Sequence, residues 1–426
     1  MDWMREVTES ASRFMSADAS RSTRRVVELQ RVLATLCIAA TTMMTMNASA
    51  QSNAPTQPPA AAPTPKTQKM PRYTVVLPTV YPGATIAFPP LPNFVQGTPR
   101  SAFEPGRVYV FECFSTTCGH CAEAAPILEA LVHEFAPRGF EFIGVAADTC
   151  EVVAPWLALP ENKKLYAHSI ACDPDRAAQR VLQDGTFQNL SPRVFVLRDG
   201  IVLWYGHPEI AQKPFAAIAA GTWNPESIKS DFVANALAAR AKNQITSVLT
   251  QCEKTGEWPR ALALLDSVVR EIPDRASTFQ LQKFGLMIGP AAMPTEGYAF
   301  GRALALQHPS DLVVLRTLVR STLSGPQVAQ RDLDFAFALA RAADVVGKGQ
   351  DARAAELLAL AYFSRGDRAQ AIEHQTRAIA LQTTAKLRVS YETQLEMYKT
   401  NEPKPVPYTP KIPVAGATDD ATTHSR

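Results

Sequence analysis

The run Val108-Tyr-Val-Phe-Glu-Cys-Phe-Ser-Thr-Thr-Cys-Gly-His-Cys121 decides the fold of this chain. Val108 to Phe114 is almost wholly apolar and aromatic, the pattern of a strand buried on both faces. Ala122 to Phe135 then carries Ile127, Leu128, Leu131, Val132 and Phe135 at helical spacing. Cys118 therefore falls at a helix N-terminus, where unpaired N–H groups and the helix dipole favour a thiolate. Zinc sites use the same Cys-x-x-Cys spacing. No second Cys-x-x-Cys or Cys/His pair exists in the sequence to complete a tetrahedron, so the pair reads as a redox dithiol.

Working outward, Phe140 to Ala146 reads as a second buried strand, and Asp175 to Leu182 as a short helix after Asp173-Pro174. Val194 to Leu197 and Ile201 to Tyr205 read as strands joined by the tight-turn signal Arg198-Asp199-Gly200. The order is a β-α-β unit followed by a β-β hairpin.

These residues resemble the thioredoxin superfamily. The segment from Val110 to Cys121 is similar to its strand–CxxC–helix signature, with Glu112 where the family keeps a buried carboxylate. Ser191-Pro192, opening the run to Gly200, matches the family's cis-proline loop, and Pro126 matches the proline that kinks its first helix. More narrowly, Gln96 to Tyr109 and Trp204-Tyr-Gly-His-Pro208 look like TlpA/ResA-type redoxins, some of which carry a helical-repeat extension. The resemblance covers about residues 73 to 223. It implies that Cys118 is the nucleophile, Cys121 the resolving thiol and Glu112 the group that exchanges the Cys121 proton. It also implies that Pro192 presents backbone groups to a substrate strand. Gly-His between the cysteines matches the protein disulfide isomerase pattern. His120 is then expected to stabilise the Cys118 thiolate and move the potential toward about −180 mV, away from the thioredoxin value of about −270 mV. The pattern departs from the family at Thr117, where a tryptophan is usual, and at Cys113, which replaces a core aromatic.

The rest of the chain frames this site. It has 426 residues, a formal charge of +3 and 46% hydrophobic residues, so it holds two or three ordinary domains and no large basic block. No nucleic-acid partner is expected. In residues 1–50, Arg21, Arg24, Arg25 and Arg31 precede an apolar stretch from Val32 to Met46 and then Ala48-Ser49-Ala50. That is the layout of a signal peptide, which places the rest of the chain in the periplasm or otherwise outside the cytoplasm, anchored if the signal is not cleaved. Residues 51–72 read as a Pro/Ala-rich disordered linker, residues 73–224 as the redoxin domain and residues 401–426 as a disordered tail. Of seven cysteines, Cys37 would leave with the signal. Cys113 and Cys252 read as core residues. Cys150 and Cys172 fall at ends of expected strands, and three readings stay open for them: structural disulfide, redox relay or unpaired burial. His207, after the last strand, reads mainly as structural.

Residues 225–400 show Ala- and Leu-rich helical patterns without strands. Ala359, Tyr362, Gly366, Ala371 and Ala378 fit a tetratricopeptide register of about 34 residues, as do Leu249, Gly256, Ala261 and Pro273. The stretch from Phe279 to Val345 fits it poorly. The expected architecture is thus an α/β thioredoxin-like fold followed by an all-α tetratricopeptide-like domain. The expected activity is thiol–disulfide exchange with protein thiols and a thiol-based electron donor, and the helical domain offers a surface for a peptide or protein. No Rossmann glycine motif is present and no cofactor is expected. Two other functions compete. One is a peroxiredoxin-like peroxidase, because Ser115 lies three residues before Cys118. The other is a helical binding scaffold with a redox-sensing module.

Overall fold

Six strands carry the site: β1 (Asn93–Gln96), β2 (Val108–Phe114), β3 (Phe140–Ala146), β4 (Ser169–Cys172), β5 (Arg193–Arg198) and β6 (Ile201–Gly206). In this computed structural model, which describes residues 70–402 apart from residue 326, they form one sheet in the order β1-β4-β3-β2-β5-β6. β2, β3 and β4 are parallel, whereas β5 pairs antiparallel with β2, β6 with β5 and β1 with β4.

β2 is buried along its whole length because both its faces are covered. Val108 and Val110 pack beneath helix α1 (Gly119–Phe135) against Leu128, Leu131 and Phe135. Tyr109, Phe111 and Cys113 face the other way, toward Ala178 and Leu182 of α4 (Ala177–Gln183). Between β3 and β4 lie α2 (Cys150–Leu157) and α3 (Pro160–Leu165), and α5 (Gln212–Ala219) follows β6. The β5–β6 hairpin turns on Asp199 (φ 52°) and Gly200 (φ 79°), both left-handed, as a two-residue turn of this twist requires.

Two local expectations need correction. α4 opens at Ala177 rather than Asp175, because the Asp173 carboxylate accepts the amides of Ala178 (3.1 Å) and Gln179 (2.8 Å) and caps the helix from a distance. Cys150 does not end a strand: β3 stops at Ala146, and Cys150 opens α2. β1 and β4, at four residues each, are too short to carry a readable period.

The described residues form two units, one of residues 72–257 and 263–276 and the other of residues 70–71, 258–262 and 277–402. The sheet unit includes α6 (Glu226–Thr255) and most of α7 (Trp258–Glu271). Phe232 of α6 meets the Tyr205 ring edge to face at 4.7 Å. Tyr73 ties both helices to the start of the sheet unit, its hydroxyl donating to the Leu237 carbonyl (3.2 Å) and its amide to Ser267 Oγ (3.0 Å). The packing therefore carries the sheet unit well past residue 224.

The other unit is all-α: α8 (Ala276–Ile288), α9 (Pro294–Gln307), α10 (Leu312–Ser324), α11 (Leu333–Val346), α12 (Ala352–Ser364), α13 (Arg368–Leu381) and α14 (Ala385–Thr400). Aspartates 311, 332, 351 and 367 cap α10 to α13 through side-chain bonds to backbone amides. Phe284, Tyr298, Phe335 and Leu339 lie in its largest core. Ala359 and Ala371 pack with Tyr398, and Gly366 (φ 91°) closes the turn between α12 and α13. The stretch from Phe279 to Val345, which fits the repeat register poorly, is helical too.

Among the described residues no helix is long and apolar enough to cross a membrane. The signal segment with Cys37, the linker as far as residue 69 and the tail after residue 402 lie outside the described residues.

Candidate active site

The site stands where β2 ends and α1 begins. Cys118 is the N-cap of α1, with extended backbone angles, and its sulfur accepts the Cys121 amide at 3.1 Å. The two cysteines are joined in a disulfide with Cα atoms 5.2 Å apart. Cys118 is partly exposed and Cys121 is buried, an asymmetry that leaves one sulfur open to attack. The loop before them is held by the Thr116 amide, which donates to Asp148 Oδ2 at 2.7 Å. The hydroxyls of Ser115 and Thr117 pair with each other at 3.1 Å.

Pro192 is brought to the same place by β5, the antiparallel neighbour of β2. The Ser191–Pro192 bond is cis, and the Ser191 carbonyl oxygen lies 4.0 Å from Cys118 Sγ. Pro192 itself is buried, whereas Leu190, two residues earlier, is 61% exposed.

Glu112 shares a strand face with Val110 and Phe114, the face covered by α1, and Phe114 packs in one cluster with Cys121. Its carboxylate is 2% exposed. Its neighbour, which sequence reasoning missed, is His168. This residue is 3% exposed at its side chain, with Nε2 at 3.6 Å from Glu112 Oε2. That distance suits an ion pair but is too long for a hydrogen bond. Neither carboxylate oxygen and neither ring nitrogen has a hydrogen-bond partner among the described residues. The imidazole lies close to Gly144, where a Cβ would sit 3.3 Å from His168 Nε2. Gln96 fixes the backbone here, its side-chain amide donating to the carbonyls of Tyr166 and His168, both at 2.6 Å. Burial pushes the Tyr166 hydroxyl above its ordinary pKa, and the Glu112 charge pushes it the same way.

His120 projects outward. Its side chain is 83% exposed, and Nδ1 lies 3.2 Å from Glu123 Oε2, a competitor with Cys118 for any imidazolium charge. Cys113 is fully buried and unpaired; burial pushes its thiol up, and the Glu112 and Asp173 charges add to the effect. Cys252 is buried and unpaired as well. His207 accepts the Glu209 amide at 3.3 Å and so caps its own turn. Cys150 and Cys172, whose pairing the sequence left open, form a second disulfide. No cluster of three or more metal-binding side chains occurs among the described residues.

A disulfide at a helix N-terminus, a cis-proline beside it and a buried carboxylate beneath it stand on one mixed sheet. The fold is thioredoxin-like.

No family model matches the chain. It is 30% identical over 139 residues to Protein FixW of Rhizobium leguminosarum, an alignment covering 31% of this chain and 62% of that protein. The chain thus spans less than two thirds of this relative's length. Solved structures similar to it include a thiol:disulfide interchange protein, DsbE, from Chlorobium tepidum. That match is 20% identical, covers 34% of this chain and 99% of that one, and has a TM-score of 0.27. A secreted Mycobacterium tuberculosis disulfide oxidoreductase is 16% identical, with 26% and 83% of the two chains covered and a TM-score of 0.21. Xanthomonas campestris Peroxiredoxin Q is 21% identical, with 28% and 78% covered and a TM-score of 0.21.

Proposed function

We propose that this protein is a thiol–disulfide oxidoreductase working outside the cytoplasm through Cys118 and Cys121. The observation that carries the reading is the Cys118–Cys121 disulfide at the head of α1 with the Ser191–Pro192 loop beside it.

In the reducing direction, the Cys118 thiolate attacks one sulfur of a substrate disulfide and forms a mixed disulfide, and the other substrate sulfur leaves as a thiolate. Cys121 then loses its proton and attacks Cys118 Sγ, which closes the protein disulfide and frees the second substrate thiol. The helix terminus stabilises the Cys118 thiolate at the first step. At the second step Cys121 is buried and needs an internal acceptor for its proton. Glu112 takes that role, with His168 buried beside its carboxylate at ion-pair distance. The Ser191 carbonyl and the exposed Leu190 flank Cys118 and give an incoming extended segment a polar and an apolar contact.

An imidazole between the two cysteines stabilises a thiolate at Cys118, which favours the reduced form and makes the disulfide more oxidising. Glu123, 3.2 Å from the ring, competes with Cys118 for that imidazole. Electrons come from or go to another thiol protein. The helical unit, read as tetratricopeptide-like, selects the protein partner. The peroxidase alternative rests on Ser115, whose hydroxyl pairs with that of Thr117.

The test is turnover of insulin or glutathione disulfide by the full chain and by Cys118→Ser. Activity in the wild type and none in the variant is expected. Equal activity in both, or peroxide consumption that depends on Cys118 without disulfide exchange, would overturn the reading.

A further inference from the structure

The second disulfide bridges α2 and β4, but its partly exposed cysteine is placed as Cys118 is. Cys118 follows the parallel strand β2 and heads α1; Cys150 follows the adjacent parallel strand β3 and heads α2. In each pair one cysteine is partly exposed, Cys118 or Cys150, and its partner, Cys121 or Cys172, is buried. The two loops that present the exposed members are tied together by the Thr116 amide bond to Asp148. All four cysteines pack in or against one apolar cluster, together with Phe114, Ala146, Val153 and Tyr166. Ala146 pairs with Phe114 on one side and with Cys172 on the other, so the buried members share one sheet face. A clamp that only fastens α2 to β4 needs neither a partly exposed cysteine at a helix terminus nor a place in the cluster that holds the other pair.

We propose that Cys150–Cys172 is a second redox couple that exchanges electrons with Cys118–Cys121 inside the chain. The proposal rests on reading the first pair as an exchange site and extends it. The step balances within the protein. The Cys118 thiolate attacks Cys150 Sγ, breaks the Cys150–Cys172 bond and releases the Cys172 thiolate. Cys121 then attacks Cys118 Sγ, which closes Cys118–Cys121 and releases the Cys150 thiolate. Two electrons pass from the first pair to the second, and the proton lost by Cys121 is matched by one gained by Cys172. The protein then holds four electrons when fully reduced, and it receives or delivers them two at a time through Cys118.

The experiment treats the oxidised full chain with limiting dithiothreitol, alkylates at timed intervals and maps each pair by peptide mass. In the wild type, Cys118–Cys121 opens first and Cys150–Cys172 follows. In Cys118→Ala/Cys121→Ala, Cys150–Cys172 opens about tenfold or more slowly at the same reductant concentration, because only the external thiol can attack it. In Cys121→Ser/Cys172→Ser, a Cys118–Cys150 cross-link accumulates. A Cys150–Cys172 bond that stays closed in the wild type while Cys118 and Cys121 are fully reduced overturns the proposal. So does an equal opening rate in wild type and variant. Either result leaves insulin reduction through Cys118 untouched, whereas loss of that activity in the wild type would instead remove the reading on which the proposal rests.

Discussion

Cys118 and Cys121 differ in what surrounds them, and their substitutions should differ accordingly. Cys118→Ser removes the attacking sulfur and abolishes exchange. Cys121→Ser leaves the attack intact but removes the release step, so mixed disulfides between Cys118 and substrate accumulate and are recovered by non-reducing gel analysis. Glu112→Gln keeps the shape of the carboxylate and removes its basicity, and is expected to slow release from the mixed disulfide by about a hundredfold while leaving formation unchanged. His168→Asn should slow that same release step and leave formation of the mixed disulfide unchanged. These residues were unequally legible. Cys118 and Cys121 declare themselves by spacing, whereas Glu112 and Ser191-Pro192 stand out only through the resemblance to the thioredoxin superfamily. His168 reaches Glu112 only through the pairing of β3 with β4 and the missing side chain at Gly144, and neither leaves a mark in the local sequence.

Among the elements, β3 sets how closely the second layer can approach the site. At Gly144 a Cβ would lie 2.6 Å from Ile170 Cδ1 and 3.1 Å from Phe114 Cε1. Gly144→Ala is therefore expected to cost about 1–3 kcal/mol in chemical denaturation and to displace His168, slowing release from the mixed disulfide as well. The Cys150–Cys172 bond closes a loop with a sequence separation of 22, so Cys150→Ser/Cys172→Ser should lose about 3 kcal/mol on loop entropy alone. In the helical unit, α12 carries Glu356, whose carboxyl burial raises above its ordinary 4.5 while Arg320 partly offsets the rise. A raised folded-state value means that the protonated form is favoured on folding. The contribution is present in full below the ordinary value and declines as pH rises through the folded one. Thermal melts from about pH 4 to about pH 7 should show Glu356→Gln with a flatter pH dependence than the wild type. The long strands and the hairpin were readable because β2 and β3 are buried apolar runs and Asp199-Gly200 accepts left-handed angles. β1, β4 and the helix at Cys150 were not, since four residues carry no period and a cysteine signals neither a strand end nor a helix start.

At the scale of the whole molecule, the sheet and its two following helices form one unit and the remaining helices another. The sequence suggested a boundary near residue 224 because the Ala/Leu pattern of α6 is what either a repeat or a helix laid on a sheet would show. Phe232 against Tyr205, and Tyr73 against Leu237 and Ser267, decide for the sheet. A chain ending at residue 276 should keep disulfide exchange with glutathione. One ending at residue 224 should expose the Tyr205 face and aggregate, as read by light scattering. If the helical unit selects partners, removing it leaves exchange with glutathione unchanged and lowers it with the protein substrate.

All of this depends on Cys118–Cys121 being a working couple and not a structural staple. Equilibration of the full chain in glutathione redox buffers, with the pair mapped by alkylation, tests that directly. A reversible two-electron transition nearer about −180 mV than about −270 mV is expected. A value below about −260 mV would contradict the part assigned to His120. A pair that stays closed below about −300 mV, as structural disulfides do, would contradict the account as a whole.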